Sequence, residues 1–219
     1  MSYNIAIDGP AGAGKSSIAK MVAERMNLIY IDTGAMYRAM ALFMIREGVN
    51  LKDTETIIKK CNEADITIRH EGGLQVVILN GENVNAYLRE EEVGEAASCV
   101  SVVPEVREKM VELQRQLAAE SDCIMDGRDI GTCVLPNADV KIYLTASSEV
   151  RAMRRYDELA AKGISCELEK IKADIEERDY RDMHREASPL RQAEDAVLVD
   201  TSDMTVQKVI ENIISLCKH

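Results

Sequence analysis

The segment that most constrains this chain lies near its start. A short apolar run, Ile5-Ala6-Ile7, leads at once into Gly9-Pro10-Ala11-Gly12-Ala13-Gly14-Lys15-Ser16-Ser17, which satisfies G-x-x-x-x-G-K-[ST]. Each part answers a physical need. The glycines let the backbone curl so that successive N–H groups point at phosphate oxygens, and a helix opening near Lys15 adds the positive end of its dipole. The Lys15 ammonium is placed to reach the β- and γ-phosphates, and the Ser16 hydroxyl to ligate Mg²⁺. Ile18, Met21, Val22 and Met26 follow at helical period, so the loop has a strand before it and a helix after it. A chance glycine turn requires neither. The chain binds a nucleoside triphosphate.

The rest of the chain alternates in the same way. Strands are expected at 28–31, 123–125, 140–144 and 196–199, and helices at 35–46, 53–62, 104–119, 148–162, 167–186 and 206–216. That order predicts an α/β fold with a central parallel sheet flanked by helices. Between 63 and 100 the pattern changes. Three short strands, 66–69, 74–79 and 82–84, are separated by Gly72-Gly73 and Asn80-Gly81, residues suited to tight hairpins. This stretch reads as a small antiparallel insertion. The expected division is a core of 1–62, 101–147 and 187–219, the insertion 63–100, and a helical lid at 148–186. Ligands of such sheets bind beyond the carboxyl ends of the strands, which directs attention to the residues after Ile7, Ile31, Met125 and Leu144.

Composition closes off other classes. The formal charge is −11, from 27 basic against 38 acidic residues, and argues against a nucleic-acid surface. With seven Tyr, one Phe and no Trp, little is available for stacking on single strands. The longest apolar run, Ala39 through Ile45, is far short of the about 20 residues a membrane helix needs. No secretory leader is legible at the N-terminus. Six cysteines without a C-x-x-C pair read as free thiols in a reducing compartment, and His70, His184 and His219 are too scattered for zinc. The expectation is a cytoplasmic monomer with no nucleic-acid or membrane partner.

Charge is distributed unevenly where the strands end. After the second strand comes Asp32-Thr33-Gly34-Ala35-Met36-Tyr37-Arg38, with Thr33 suited to cap the next helix. After the third comes Asp126-Gly127-Arg128-Asp129, in which Asp126 is suited to hold Mg²⁺ through water. The late helix places Arg178, Arg181 and Arg185 on one face, with Asp182 positioned to orient Arg178 or to accept from a ribose hydroxyl. Taken alone these would be a solvated, charge-laced surface. Beside a triphosphate loop they read differently, because transfer between two anions needs cations around the moving group and exclusion of water.

The ordered set IDGPAGAGKSS, DTGAMYR, Ala96-Ala97-Ser98 with Val106-Arg107-Glu108, DGRDIGT and ERDYRD-x-x-R resembles the bacterial cytidylate kinase family over almost the whole chain. The three-strand insertion resembles the enlarged monophosphate domain of that family. The resemblance implies a P-loop kinase that moves the γ-phosphoryl group of ATP to CMP or dCMP, with Mg²⁺ as cofactor. It implies that Gly9, Pro10, Ala11, Gly12, Ala13, Gly14, Lys15, Ser16 and Ser17 hold ATP. Thr33, Arg38, Arg128 and Arg185 would hold the acceptor phosphate, and Ser98, Arg107 and Asp129 would read cytosine. Arg178, Arg181 and Asp182 would serve ribose and phosphates, and Arg154 the lid. Lys15, Arg128, Arg154 and Arg185 are then the catalytic set, and Ser16 and Asp126 the metal-binding pair. Thr33 stands where some members carry Ser, and keeps the hydroxyl. The alternatives are a monophosphate kinase preferring UMP or AMP, and a P-loop NTPase acting as a regulatory module.

Overall fold

The computed structural model describes residues 2–217, so His219 lies outside the described residues. In chain order the elements are β1 (Asn4–Asp8), α1 (Lys15–Met26), β2 (Ile29–Asp32), α2 (Thr33–Arg46), α3 (Thr54–Cys61), β3 (Ile66–Glu71), β4 (Leu74–Leu79), β5 (Glu82–Asn83), α4 (Glu91–Val100) and α5 (Pro104–Glu120). There follow β6 (Cys123–Gly127), a π-helical turn (Ile130–Val134), β7 (Val140–Thr145), α6 (Ser148–Ala161), α7 (Leu168–His184), β8 (Val197–Asp200) and α8 (Val206–Leu216).

Five strands form one parallel sheet in the order β2-β6-β1-β7-β8. Parallel strands need crossover helices, which cover both faces and account for the continuously apolar strand centres. On one face α2 and α5 contribute Met36, Met40, Met44, Val106 and Met110 to a buried layer with Ala6 and Met125. On the other, α1 and α8 set Ile18, Val22, Val209, Ile210 and Ile213 against Ile5, Ile7, Ile124 and Ile142. The register aligns Asp32 with Asp126 and Asp8 with Gly127, so the strands end level and their acidic termini share one edge.

The insertion departs from the sequence reading. Its antiparallel sheet, β3-β4-β5, ends at Asn83, and the second half of 63–100 is helix α4, which packs along α2. Val93, Ala96, Ala97 and Val100 are its buried face, an i, i+3, i+4, i+7 spacing. The three-strand sheet and α4 are continuous with the main core through Val77, Leu79, Val84 and Leu88. A second correction concerns α2. Asp32, not Thr33, caps it, its carboxylate accepting from Ala35 N at 2.9 Å, while Thr33 already has helical backbone and donates its hydroxyl to Asp126 O at 2.7 Å.

Helices α6 and α7, over the stretch expected as a helical lid, pack as a hairpin with a small core of their own, Ala152, Ile171 and Ile175.

Candidate active site

The glycine-rich loop is fixed by contact as well as by conformation. A Cβ on Gly9 would stand 1.9 Å from Leu144 O, so no side chain fits there, and Gly14, the residue before α1, has φ of 87°. Lys15 is buried and donates from Nζ to Pro10 O at 2.7 Å across the loop. Burial and the nearby Arg128 push its pKa well below an ordinary lysine's, against the pull of Asp126, Asp8 and Asp182.

Behind the loop, Ser16 Oγ donates to Asp126 Oδ2 at 2.8 Å and Tyr30 OH to Asp126 Oδ1 at 2.7 Å. Burial, then the neighbouring Asp32, raises the Asp126 carboxyl above its ordinary value. The second buried carboxylate, Asp8, accepts from the Ile130 and Gly131 amides at 2.7 Å each, while burial raises its pKa to about 6.

These groups fit a hard divalent cation. Ser16 and Asp126 offer paired oxygens, and the crowding of Asp126 by Asp32 is negative charge that a cation relieves. Among the described residues no group of three or more His, Cys, Asp and Glu forms a metal cage. Mg²⁺ bound with a nucleotide takes most of its ligands from phosphate and water, so one or two protein oxygens suffice.

Facing the loop, five of the expected residues form one chain of alternating charge. Arg107 Nη2 donates to Asp129 Oδ2, and Arg107 Nη1 to Ser101 O at 3.1 Å. Asp129 Oδ1 lies 3.5 Å from Arg185 Nη2, Arg185 Nη1 lies 3.9 Å from Asp182 Oδ1, and Arg128 Nε donates to Asp182 Oδ2 at 2.8 Å. The run Arg107–Asp129–Arg185–Asp182–Arg128 joins α5, the turn after β6 and the end of α7. Burial would raise Asp182, but Arg128 outweighs it and holds the carboxyl below the usual range. Burial likewise opposes the charge on Arg107, yet Tyr37 and Asp129 hold its pKa above the ordinary arginine value.

The cations are not fully matched. Arg107 Nε and Arg185 Nη2 are buried with no hydrogen-bond partner, a rare state for native polar groups. Arg38 and Arg178 have lowered pKa values, first through burial and then through other charges: Asp32 partly offsets the fall at Arg38, while Arg128 deepens it at Arg178, to about 10. Four guanidinium groups thus carry unmet donors or lowered pKa values at one edge of the sheet.

Other expected residues lie elsewhere. Arg154 does not join this cluster; it donates to Thr201 O at 2.8 Å, at the end of β8. Arg181 is exposed, its Nε 3.8 Å from Glu177 Oε1. Asp182 pairs with Arg128 rather than Arg178. Ser98 sits half-buried on α4 with its hydroxyl turned to Gly94 O. Sequence reasoning missed Asp8, Tyr30, Arg89 and Gln75. Arg89 pairs with Asp32 at 3.0 Å, and Gln75 clamps the Asp32 backbone, accepting from its N–H at 2.8 Å and donating to its carbonyl at 3.1 Å. For Asp8 a signal was present, an acid at the end of the strand that feeds the loop.

A triphosphate loop at the carboxyl edge of a parallel sheet, set against under-matched arginines, defines a P-loop kinase of the nucleotide-phosphorylating class. Shikimate kinase from Bacteroides thetaiotaomicron shares the fold, with a TM-score of 0.51 at 12% identity over 99% of both chains. The family model for cytidylate kinase matches residues 5–219. Cytidylate kinase of Caldicellulosiruptor saccharolyticus is 46% identical over 97% of this chain and 94% of its own, and that of Lactobacillus johnsonii 48% over 97% and 92%. The chain belongs to the cytidylate kinase family.

Proposed function

We propose that the glycine-rich loop and the arginine–carboxylate chain are the two halves of one phosphoryl-transfer site, the first holding ATP and the second CMP or dCMP. The reaction moves the γ-phosphoryl group of ATP to the acceptor phosphate, giving ADP and CDP or dCDP. The observation that carries the acceptor half is a set of arginines whose charge is incompletely matched: Arg107 Nε and Arg185 Nη2 are buried without a hydrogen-bond partner, and Arg38 and Arg178 have lowered pKa values.

In this reading residues 9–17 hold the ATP phosphates, and Lys15 neutralises charge as it develops on the moving group. Ser16 and Asp126 would hold Mg²⁺, which would supply neutralising charge at the phosphates. Thr33, Arg38, Arg128 and Arg185 orient the acceptor phosphate, whose oxygen is the nucleophile. Asp129 accepts from the exocyclic amino group of cytosine and Arg107 donates to the ring carbonyl, with Ser98 nearby. Arg178 and Asp182 serve ribose and phosphate. Arg154 and Arg181 act only after the α6–α7 hairpin moves, since neither joins the chain of charges: Arg154 bonds Thr201 and Arg181 lies beside Glu177. Little covalent work falls to the protein; positioning and electrostatics do the rest. The chain acts as a cytoplasmic monomer in this account, in keeping with six free cysteines.

A coupled ADP-release assay over CMP, dCMP, UMP, AMP and GMP tests the reading. Release with CMP or dCMP far above the others is expected. Equal release without any monophosphate would identify an NTPase module, and preference for UMP or AMP a different kinase.

A further inference from the structure

A buried charge pair joins the α6–α7 hairpin to the glycine-rich loop, and none of the roles above uses it. Arg151 lies in the first turn of α6. Asp179 lies on the buried face of α7 with Ile171 and Ile175, at i, i+4 and i+8. The two side chains are only 7% and 11% exposed, and Arg151 Nη1 donates to Asp179 Oδ2 at 2.6 Å.

The same pair occupies both polar backbone groups of one loop residue. Arg151 Nη1 also donates to Ala11 O at 2.9 Å, and Asp179 Oδ1 accepts from Ala11 N at 3.3 Å. Arg151 Nε reaches Ala146 O at 2.8 Å, just past β7. Gly12 lies directly against the side chain, since a Cβ there would stand 3.4 Å from Arg151 Cβ. Loop backbone outside regular structure must find partners. At Ala11 the partners come from α6 and from α7, the helix that also carries Arg178 and Asp182 and ends at Arg185.

This arrangement sets a carboxylate against the loop that receives a polyphosphate. Left bare, Asp179 would repel it; with Arg151 attached, the pair is neutral. We propose that Arg151 and Asp179 are positioning residues: together they key the first limb of the phosphate loop to the hairpin that presents the acceptor-side arginines, and Arg151 masks the Asp179 carboxylate from ATP. The proposal rests on ATP occupying the loop.

The masking role makes the two partners unequal, which a merely structural ion pair would not be. Arg151→Met leaves a buried carboxylate beside the loop and is expected to raise KM for ATP by about tenfold or more. Its KM for CMP should stay within about twofold, because the acceptor arginines are untouched. Asp179→Asn should lower kcat without raising KM for ATP. The double variant Arg151→Met, Asp179→Asn should recover most of the ATP KM lost in Arg151→Met, with kcat still reduced. Equal effects of the two single changes, parallel rises in both KM values, or a double variant worse than Arg151→Met would overturn the proposal. Should Arg151→Met fail to fold, Arg151→Lys keeps the charge but lacks the planar fork that spans Ala146 O, Ala11 O and Asp179 from one side chain. It should show a lowered kcat at near-normal ATP KM, and parental kcat in that variant would overturn the keying role. Lys15→Ala serves as control. If it abolishes turnover while Arg151→Met behaves as the parent, this inference alone fails; if it leaves turnover intact, the placement of ATP in the loop fails.

Discussion

Replacing Asp129 by Ala removes the carboxylate between two buried guanidinium groups. Arg107, Asp129 and Arg185 have side chains only 4%, 7% and 6% exposed, so water cannot take over the lost interaction. Removing one partner from a buried pair costs about 3–5 kcal/mol, mostly because the remaining charge stays buried and unpaired. Here Arg107 loses its carboxylate partner and Arg185 keeps Asp182 at 3.9 Å, and the two arginines repel each other, since Arg107 already lowers the pKa of Arg185. For a chain of this size each kcal/mol moves Tm by about 2–4 °C, so Asp129→Ala should melt roughly 6–20 °C below the parent. Asp129→Asn keeps the shape and one acceptor and should fall between the two. Saturating CMP should narrow the gap, because its phosphate brings negative charge beside Arg185. Kinetics supply the second readout. If Asp129 accepts from the cytosine amino group, the ratio of kcat/KM for CMP over UMP should fall by about tenfold in Asp129→Ala. A variant that melts within about 2 °C of the parent, the range of a surface change, would refute the electrostatic reasoning. An unchanged CMP-to-UMP ratio would refute the base-reading role.

Three further outcomes follow from the loop and its surroundings. Lys15→Ala should lose turnover by about 10²-fold or more, in the range for removing one charge-stabilising group, as read by single-turnover transfer from ATP. Gly9→Ala should fail to give a binding-competent loop, because its Cβ would meet Leu144 O at 1.9 Å; loss of ATP binding by calorimetry checks this, and parental affinity contradicts it. Because burial and Arg128 lower the Lys15 pKa, the ammonium is lost at a lower pH than in an ordinary lysine. The kcat/KM for ATP, which reports the free enzyme, should therefore fall as pH rises through that lowered value, and Lys15→Arg should move the alkaline limb upward.

How much of this was legible beforehand depended on whether the information was local. The glycine loop, the parallel strands and the hairpins at Gly72-Gly73 and Asn80-Gly81 are written in contiguous residues, and the fold follows them. Helix α4 was not read, because Glu90-Glu91-Glu92 and Gly94 obscure an apolar spacing that becomes plain only against α2. The cap of α2 turned on one residue: both Asp32 and Thr33 are good caps, and the bond from Thr33 to Asp126 O, a partner 93 positions away, settles which one serves.

The site divides in the same way. DGRD and the late arginines are visible as motifs, yet which acid meets which arginine is a tertiary matter. Asp182 was expected beside Arg178, four positions earlier on the helix, and instead pairs with Arg128 from the turn after β6. Arg151 and Asp179 each look like one more charge on a charged helix, in a stretch, residues 151–191, with ten basic and ten acidic side chains. Only their burial against Ala11 distinguishes them. The overall charge of −11 argues against a nucleic-acid surface, yet carries no trace of a few placed arginines.

The most direct test of the central claim is a crystal structure of the protein with CMP and a non-hydrolysable ATP analogue. The account predicts the CMP phosphate within hydrogen-bond distance of Arg38, Arg128 and Arg185, its base against Arg107 and Asp129, and the triphosphate in the loop at Lys15. A CMP bound elsewhere, for instance in the groove of about 380 Å³ lined by Asn62, Lys109 and Gln116, with Arg107 Nε and Arg185 Nη2 still without hydrogen-bond partners, would contradict it.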